Sequence, residues 1–225
     1  MNIAHTIDHT LLRPEQSTPE RVVQLCHEAI EYGFASVCVL PCYVPLAVKE
    51  LAKTAIPVCS VVGFPLGGNL SVTKRAEAEH LLAVGARELD MVLNIAALKS
   101  GDTQLVVDDI AHVVDVAHAN GAIVKVIVEC GALSQEEKIR AAHLVSTAGA
   151  DFIKTSTGFG YGGATVDDVQ LLRQHVASHV KVKASGGIRT RAQAVELLHA
   201  GASRLGTSAG VAIVTDAVES SPTPY

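Results

Sequence analysis

Eight short apolar runs, rich in β-branched residues, alternate along the whole chain with longer segments of helical periodicity. Strands are predicted at 5–9, 35–40, 57–64, 88–94, 122–129, 151–157, 180–185 and 202–208. Helices are predicted at 18–32, 44–54, 71–84, 103–120, 134–148, 165–178 and 190–200. Nearly continuous apolar strands separated by helices are typical of a parallel sheet covered by helices. Eight such units favour an α/β fold closed into a (β/α)₈ TIM barrel, and a doubly wound open sheet is the alternative.

The turns between these elements support the alternation. The segments AVGAREL (83–89), TAGADFI (147–153) and HAGASRL (199–205) each place a glycine between a helix and the next strand. Glycine ends helices in this way because it adopts the left-handed conformation without strain. No Gly-x-Gly-x-x-Gly follows the first strand, which argues against a dinucleotide-binding sheet. We expect a single domain over residues 1–225, with a flexible tail at 216–225.

Composition excludes several classes of function. Of the 225 residues, 48% are apolar and 18% are charged, as in a globular protein rather than a disordered one. The formal net charge of -5 argues against nucleic acid or an anionic membrane as the main partner. The sequence has no signal peptide and no apolar run of membrane-spanning length, so a cytoplasmic enzyme of small molecules is expected. A homo-oligomer, dimeric or larger, is compatible with the sequence.

The five cysteines predict neither disulfides nor a metal site. Their number is odd, and no CxxC pair or His/Cys cluster with zinc spacing occurs. Such a pattern is typical of reduced thiols in the cytoplasm. We therefore expect no metal and no other cofactor.

Charged residues within the apolar strands are the strongest indication of chemistry. Asp90, Lys125, Lys154 and Lys183 each interrupt a predicted strand, and a buried charge needs a partner or a function. Alternate strand residues point into a barrel, so we expect Lys154 and Lys183 to share its interior, from strands separated by one other. A second cation and burial both favour the neutral, nucleophilic form of a lysine. Lys154 is therefore predicted to form an imine, with Asp90 passing protons.

The other strand lysines are interpreted as structural. Lys125 is expected to pair with Asp90 or Glu129, because the chemistry requires only one extra cation. Lys181 is expected to be a solvated residue at the entry of its strand.

Two glycine-rich turns follow the last two predicted strands, where barrels often bind phosphate. They are SGGIRT (185–190) and LGTSAG (205–210). Gly186 and Gly187 let backbone amides approach an anion, and the next helix start adds a favourable dipole. Gly158 is predicted to form a third edge of this site. Arg189 either contributes a charge or caps the helix in solvent.

Several of these segments together resemble a known family. They are DHTLLRP (8–14), VGFPLG (62–67), ELDMVLN (88–94), FIKTSTGF (152–159) and VKASGGIR (182–189). In this order, and across nearly the whole chain, they are similar to the deoxyribose-phosphate aldolase family. The resemblance implies a (β/α)₈ barrel that reversibly cleaves 2-deoxy-D-ribose 5-phosphate to D-glyceraldehyde 3-phosphate and acetaldehyde, in deoxyribonucleotide catabolism. It implies no metal or organic cofactor.

The resemblance also implies roles for individual residues. By motif position, Lys154 matches the imine-forming lysine, Lys183 the lysine that perturbs it, and Asp90 the acid that relays protons. Asp8 is expected to touch a substrate hydroxyl or a neighbouring lysine. The positions expected near the substrate or its phosphate are Thr157, Gly158, Gly186, Gly187, Gly206 and Ser208.

Three further positions depart from the family pattern or lie at its edge. Phe159 stands where some members carry a basic residue, so backbone amides are expected to carry more of the phosphate binding. Cys38 matches a cysteine near the pocket and is interpreted as an inert core thiol. Tyr225, in the terminal segment, is a hypothetical aid to proton transfer at the acetaldehyde carbon.

Two alternatives remain open from the residues alone. One is a related barrel aldolase or a sugar-phosphate isomerase, which would use a carboxylate base and no obligatory amine. The other is a catalytically silent phosphosugar-binding or regulatory protein on the same barrel. Borohydride trapping of an imine separates the first pair, and substrate-induced stabilisation without turnover would support the second.

Overall fold

The computed structural model describes residues 3–216, which form a closed barrel of eight parallel strands. The strands follow the chain order around the barrel, and β8 pairs with β1 to close it. The open-sheet alternative is therefore wrong. The strands are β1 (Ile7–Leu11), β2 (Ser36–Val39), β3 (Val58–Val62), β4 (Glu88–Val92), β5 (Ile123–Ile127), β6 (Phe152–Lys154), β7 (Lys181–Ser185) and β8 (Arg204–Thr207).

All seven predicted helices are confirmed, and two short helices were not predicted. The helices are α1 (Pro19–Tyr32), α2 (Val44–Glu50), α3 (Ser71–Ala83), α4 (Ile95–Ser100), α5 (Thr103–Ala119), α6 (Gln135–Thr147), α7 (Val166–His175), α8 (Arg191–His199) and α9 (Gly210–Thr215). The unpredicted helices, α4 and α9, have only six residues each. So short a segment contains too few turns to display a helical period.

All eight strands are confirmed with bounds that differ from the predicted ones, and the differences at the first and sixth strands have a visible cause. The first begins at Ile7 because a 3₁₀ turn occupies Ala4–Thr6. The sixth ends at Lys154, three residues early. Beyond it, the backbone N–H of Thr157 donates to the carboxylate of Glu129 rather than to a neighbouring strand. The chain therefore leaves the sheet just after Lys154 and turns over the end of the barrel.

Helix starts and ends follow the predicted capping chemistry. The side chain of Thr18 caps α1, and Ser134 with Glu137 forms a capping box at α6. The glycines of the three Ala-Gly turns, Gly85, Gly149 and Gly201, all have positive φ. These caps satisfy backbone groups that a helix end leaves without partners, so each helix stops where the next strand must begin.

The strand residues alternate between an apolar outer layer and a polar interior. On β4, Leu89 and Met91 belong to the buried apolar cluster beneath the helices, whereas Glu88 and Asp90 carry the ion pairs inside the barrel. Among residues 3–216, no helix combines the length and the apolar character needed to cross a membrane. The expectation of one domain over residues 1–225 stays a prediction. Most of the expected tail, including Tyr225, lies outside the described residues.

Candidate active site

The two predicted active-site lysines lie on adjacent strands. The register pairs Lys154 of β6 directly with Lys183 of β7, so the expectation of an intervening strand was wrong. Both side chains point into the barrel and reach one oxygen of Asp90 on β4. The distances to Asp90 Oδ2 are 2.7 Å from Lys154 Nζ and 2.7 Å from Lys183 Nζ. The structure therefore brings Lys154, Lys183 and Asp90 together, as predicted.

Further charges lie beneath this trio, toward the N-terminal ends of the strands. Lys125 Nζ lies 2.8 Å from Asp90 Oδ1 and 2.7 Å from Glu88 Oε2. Asp8 Oδ2 lies 2.5 Å from Lys183 Nζ. Arg204 closes the group from below, with Nη1 2.6 Å from Asp8 Oδ1. These contacts form one continuous network along the barrel axis.

The charges of this buried network do not balance when every group is ionised. Its side chains are three carboxylates, Asp8, Glu88 and Asp90, and four cation-forming groups, Lys125, Lys154, Lys183 and Arg204. All are buried, apart from partial exposure of the Arg204 side chain. An uncompensated charge is costly in such surroundings. The network is neutral when one of its four basic groups is uncharged.

Two carboxylates of the network, Asp8 and Asp90, remain ionised. Burial alone would raise the pKa of Asp90, but Lys125, Lys154 and Lys183 together hold it well below its usual value. The pKa of Asp8 is also lowered, because Lys183, Lys125 and Arg204 outweigh its burial. Both carboxyl groups are therefore ionised at neutral pH while their lysine partners stay charged.

Two of the lysines are held in the charged form. Burial opposes ionisation of Lys183, yet the nearby Asp8 and Asp90 raise its pKa above the usual value. The pKa of Lys125 is raised well above its usual value for the same reason, by Asp90 and Glu88 among others. Lys154 differs from both in position, because it contacts Asp90 and also borders an open cavity.

That cavity, of about 320 Å³, opens at the C-terminal ends of the strands. Lys154 lies among its lining residues, whereas Asp8 does not line it and contacts Lys183 instead. Of the two contacts expected for Asp8, the structure therefore contains the one with a lysine. The predicted substrate-binding positions that do line the cavity are Thr157, Gly158, Gly186, Gly187, Gly206 and Ser208.

Glycine is required at two of these positions by close packing. A side chain on Gly206 would come within 3.0 Å of Lys183 Cε, so only glycine lets that lysine pass beneath the turn. Gly186 has a φ of 87° and packs against the backbone of Gly163, whose α-carbon would lie 3.0 Å from an added β-carbon. The two glycine turns therefore shape the cavity wall as well as exposing backbone to it.

Comparisons with known proteins agree on one family. The family model of DeoC/LacD family aldolases matches residues 3–216. The chain belongs to this family. It is 54% identical to the deoxyribose-phosphate aldolase of Thermoanaerobacter sp. over 217 residues, which is 96% of this chain and 97% of the relative. With that of Thermococcus gammatolerans it shares 55% identity over 219 residues, 96% of this chain and 97% of the relative.

Solved structures give the same result. A structure described as a unique tetrameric form of deoxyribose phosphate aldolase from Aeropyrum pernix superposes with a TM-score of 0.89 at 36% identity. The match covers 95% of this chain and 90% of that one. The barrel and the aldolase family are therefore both established for this chain.

The prediction that Lys125 pairs with Asp90 or Glu129 is confirmed in this aldolase through Asp90. Lys125 pairs with Asp90, as expected, but its second close partner is Glu88 and not Glu129. Glu129 follows the end of β5, where its carboxylate accepts hydrogen bonds from the backbone N–H and the hydroxyl of Thr157. Lys181, as predicted, is exposed at the start of β7.

Glu129 is a site residue that sequence reasoning missed. It adopts a φ of 56°, a left-handed conformation that non-glycine residues rarely occupy. Its bonds fix Thr157, whose hydroxyl in turn accepts the backbone N–H of Phe159 at 3.1 Å. The carboxylate thereby shapes the loop that borders the cavity. The only signal in the sequence is a glutamate at the end of a predicted apolar strand.

The structure brings together two cysteines that the sequence places 21 residues apart. Cys38 and Cys59 are paired in register, and Cys59 Sγ donates to Asp90 Oδ1 at 3.2 Å. With Asp90 they form a buried group of three potential metal ligands. Three donors are fewer than a structural zinc site uses, and the ammonium groups around Asp90 oppose another cation. We therefore interpret the pair as packing and hydrogen-bonding groups. Cys38 does not line the cavity.

Proposed function

We propose that this aldolase reversibly cleaves 2-deoxy-D-ribose 5-phosphate to D-glyceraldehyde 3-phosphate and acetaldehyde through an imine on Lys154. One observation supports this most directly. Lys154 is the basic group of the buried network that also borders the cavity, and the other three basic groups suffice to balance the carboxylates. A network in which Lys154 is uncharged has no formal net charge, and the neutral amine is the form that acts as a nucleophile.

The synthetic direction begins with attack of the neutral amine on acetaldehyde. Lys154 Nζ bonds to the carbonyl carbon, and the carbinolamine takes up a proton at its hydroxyl group and loses water to give an iminium ion. The iminium nitrogen then carries its positive charge beside Asp90 Oδ2. Formation of the iminium ion is favoured by the carboxylate, which already lies at hydrogen-bond distance from the nitrogen.

Carbon–carbon bond formation requires removal of a proton from the methyl carbon of the iminium ion. In our proposal Asp90, together with Lys183 and a water molecule, accepts that proton and leaves an enamine. The enamine carbon attacks the aldehyde carbon of glyceraldehyde 3-phosphate, and the new oxyanion takes the proton that Asp90 and its water had accepted. Water then hydrolyses the imine, releasing deoxyribose phosphate and regenerating the amine of Lys154.

The phosphate of the substrate is assigned to the glycine turns after β7 and β8. Gly186, Gly187 and Gly206 border the same cavity as Lys154, and they present backbone rather than side chains. The capping box of α8 occupies two nearby amides, since the N–H groups of Arg189 and Thr190 both donate to Gln193 Oε1. The expected contribution of that helix start is therefore smaller than the sequence indicated. The turns themselves supply the binding.

Borohydride trapping tests the imine. The protein is incubated with deoxyribose 5-phosphate or acetaldehyde and sodium borohydride, digested, and mapped by mass spectrometry. We expect an ethyl group on Lys154 from acetaldehyde and loss of cleavage activity. Lys154→Arg should abolish the adduct, whereas Lys181→Arg, at an exposed lysine of β7, should retain it. Failure to label Lys154 in an active preparation would refute the proposed mechanism and favour an isomerase-like use of Asp90.

A cleavage assay tests the substrate. Acetaldehyde released from deoxyribose 5-phosphate is measured with a coupled dehydrogenase. Stabilisation by deoxyribose 5-phosphate without any turnover would contradict the proposal and would support a silent phosphosugar-binding protein.

We further propose that the enzyme is a cytoplasmic homo-oligomer. The Aeropyrum pernix relative is described as tetrameric, and all five cysteines of this chain are free thiols. Sedimentation equilibrium should give a multiple of the 23.5 kDa chain mass. A monomer at micromolar concentration would contradict the first half of this proposal. Recovery of the native protein in a membrane or secreted fraction would contradict the second.

A further inference from the structure

A cationic side chain that the proposed mechanism does not use borders the active-site cavity. Arg13 follows β1 and is half-buried. Its Nη2 donates to the carbonyl oxygen of Gly158 at 3.1 Å. Its Cζ lies 4.4 Å from the ring centroid of Phe159. The guanidinium plane is thus held on two sides, by an aromatic face and by a backbone acceptor.

The aromatic ring beneath Arg13 is itself fixed. Phe64 contacts Phe159 edge-on, with ring centroids 5.0 Å apart, and both rings pack against a small buried cluster beneath the cavity. The backbone N–H of Phe159 donates to Thr157 Oγ1. A stacked guanidinium on a fixed ring loses little conformational entropy when it binds an anion.

The position of Arg13 relates it to the glycine turns. A β-carbon added to Gly158 would lie 3.9 Å from the Cα of Gly186, so the carbonyl that Arg13 contacts belongs to a residue packed against the first turn. A guanidinium has five N–H donors in a planar fork that matches phosphate oxygens. The bond to Gly158 accounts for one of them. Arg13 therefore brings a positive charge to the wall of the cavity that contains the backbone turns.

A positive charge from Arg13 favours anion binding because the chain as a whole is negative; Arg189 is the other arginine that lines the cavity. The chain has a formal net charge of -5, and Glu15, an exposed carboxylate, also lines the cavity. Lys154 cannot form an ion pair with the phosphate while its nitrogen is bonded to the substrate as an imine. Backbone turns alone bind phosphate more weakly than turns combined with a charge-assisted contact.

We propose that Arg13 is the residue that selects phosphorylated over non-phosphorylated substrates. The ring of Phe159, on which its guanidinium stacks, orients it. This inference rests on the proposed deoxyribose-phosphate aldolase function. It also explains how the chain binds phosphate with phenylalanine at position 159: the cation comes from the loop after β1 and stacks on the ring. A purely structural role, in which Arg13 only ties the loop at Gly158 in place, is the competing explanation.

The test compares two substrates in the same variants. kcat/KM is measured for cleavage of 2-deoxyribose 5-phosphate and of 2-deoxyribose, and their ratio is the readout. Arg13→Gln should lower this ratio by about 10- to 100-fold, the loss expected for one charge-assisted hydrogen bond. Arg13→Lys should lower it less, because it keeps the charge but loses the planar fork. Phe159→Leu should lower the ratio severalfold, because it removes the aromatic ring on which Arg13 stacks.

Two controls isolate the charge at this position. Glu15→Gln removes a negative charge from the cavity wall and should raise the ratio. Arg75→Gln removes an exposed arginine that pairs with Glu79 on α3 and should not change the ratio. Inorganic phosphate, as a competitive inhibitor, should bind more weakly to Arg13→Gln than to the parent.

The outcomes separate this inference from the proposed function. A parent enzyme that fails to cleave deoxyribose 5-phosphate contradicts the function itself. A parent that cleaves it, together with an Arg13→Gln variant of unchanged ratio, contradicts only the role of Arg13. Equal falls of kcat/KM for both substrates would assign Arg13 to loop structure and would overturn its role in phosphate selection.

Discussion

Lys154 and Lys183 lie side by side on adjacent strands and donate to the same carboxylate oxygen. Each nitrogen is 2.7 Å from Asp90 Oδ2, so the two nitrogens are no farther apart than twice that distance. Two ammonium groups this close repel each other inside a protein. Lys183 has a second carboxylate partner in Asp8, whereas Lys154 forms an ion pair only with Asp90 among residues 3–216. The less strongly paired lysine is the one that borders the cavity.

Replacing Lys183 with leucine should cut turnover by about 10²- to 10⁴-fold, as for loss of a group needed for proton transfer. Without Lys183 the network is balanced with Lys154 charged, so the amine is no longer nucleophilic. The side chain is also fully buried between two carboxylates, and its removal should lower the free energy of unfolding by about 3–5 kcal/mol. Initial rates and urea unfolding measure the two effects.

Lys181→Leu, two residues earlier and exposed, is the matched control and should retain both activity and stability. Should Lys183→Leu stay folded and fully active, the amine of Lys154 would not depend on its neighbour, and the electrostatic account would be wrong.

Acid should destabilise the protein through Asp8 and Asp90. The folded-state pKa of both is below the ordinary value of 3.8, so each contributes stability that is present above that pH and lost as the pH falls through the folded-state value. The free energy of unfolding, measured in urea from pH 7 down to pH 3, should decline in the acid range. Asp90→Asn should be less stable at pH 7 and show a flatter acid decline. Parallel curves for the two proteins would contradict this assignment.

The barrel and its reactive centre could be predicted from the sequence because short segments of the chain contain the patterns that indicate them. Apolar periodicity marks each strand and helix without reference to its neighbours. A charged residue in an apolar strand, such as Asp90 or Lys154, indicates a partner of opposite charge in the barrel interior. Parity then puts Lys154 and Lys183 on the same face, and closure of the barrel brings them to Asp90.

The features that could not be predicted depend on how deep each side chain lies along the barrel axis and on contacts between segments distant in the sequence. Glu129 shares its parity with Lys125, but it lies beyond the end of β5, where it meets Thr157 and not the lysine. The stacking of Arg13 on Phe159 joins segments 146 residues apart, and no periodic pattern encodes it. Strand parity gives the direction of a side chain, and only the register gives its depth in the barrel.

Glu129→Gln should weaken catalysis by loosening the loop at Thr157. The neutral amide keeps the size of the side chain but loses the charge-assisted hydrogen bonds, each of which contributes about 1.5–3 kcal/mol. We expect kcat/KM for the phosphorylated substrate to fall by about tenfold or more, with the loop more exposed to proteolysis. Enzyme assays and limited proteolysis measure these effects.

Glu129→Gly separates the backbone from the carboxylate. Glycine relieves the left-handed strain at φ 56° but provides no hydrogen-bond acceptor. Activity should fall at least as far as in Glu129→Gln, despite the relaxed backbone. A glycine variant of full activity would indicate that the carboxylate is dispensable.

Lys74 and Asp109 form a buried ion pair that links α3 to α5 outside the barrel interior. Lys74 Nζ lies 2.5 Å from Asp109 Oδ2 and donates to the carbonyl oxygen of Val92 at 2.9 Å, with both side chains fully buried. Burial lowers the pKa of Lys74 below its usual value, in spite of Asp109. Lys74→Met should therefore destabilise the fold by about 3–5 kcal/mol, because it leaves the carboxylate of Asp109 buried without its cationic partner.

The double variant Lys74→Met/Asp109→Leu tests why that pair is costly to break. Removing both charges leaves apolar groups of similar size, so stability should return to within about 2 kcal/mol of the parent. Disruption of the exposed Arg75–Glu79 pair on α3, by Arg75→Ala, should cost only about 0.5 kcal/mol. Thermal and urea unfolding of the four proteins give these values. A double variant as unstable as Lys74→Met would show that the lysine acts mainly through Val92 and packing, and not through its partner's charge.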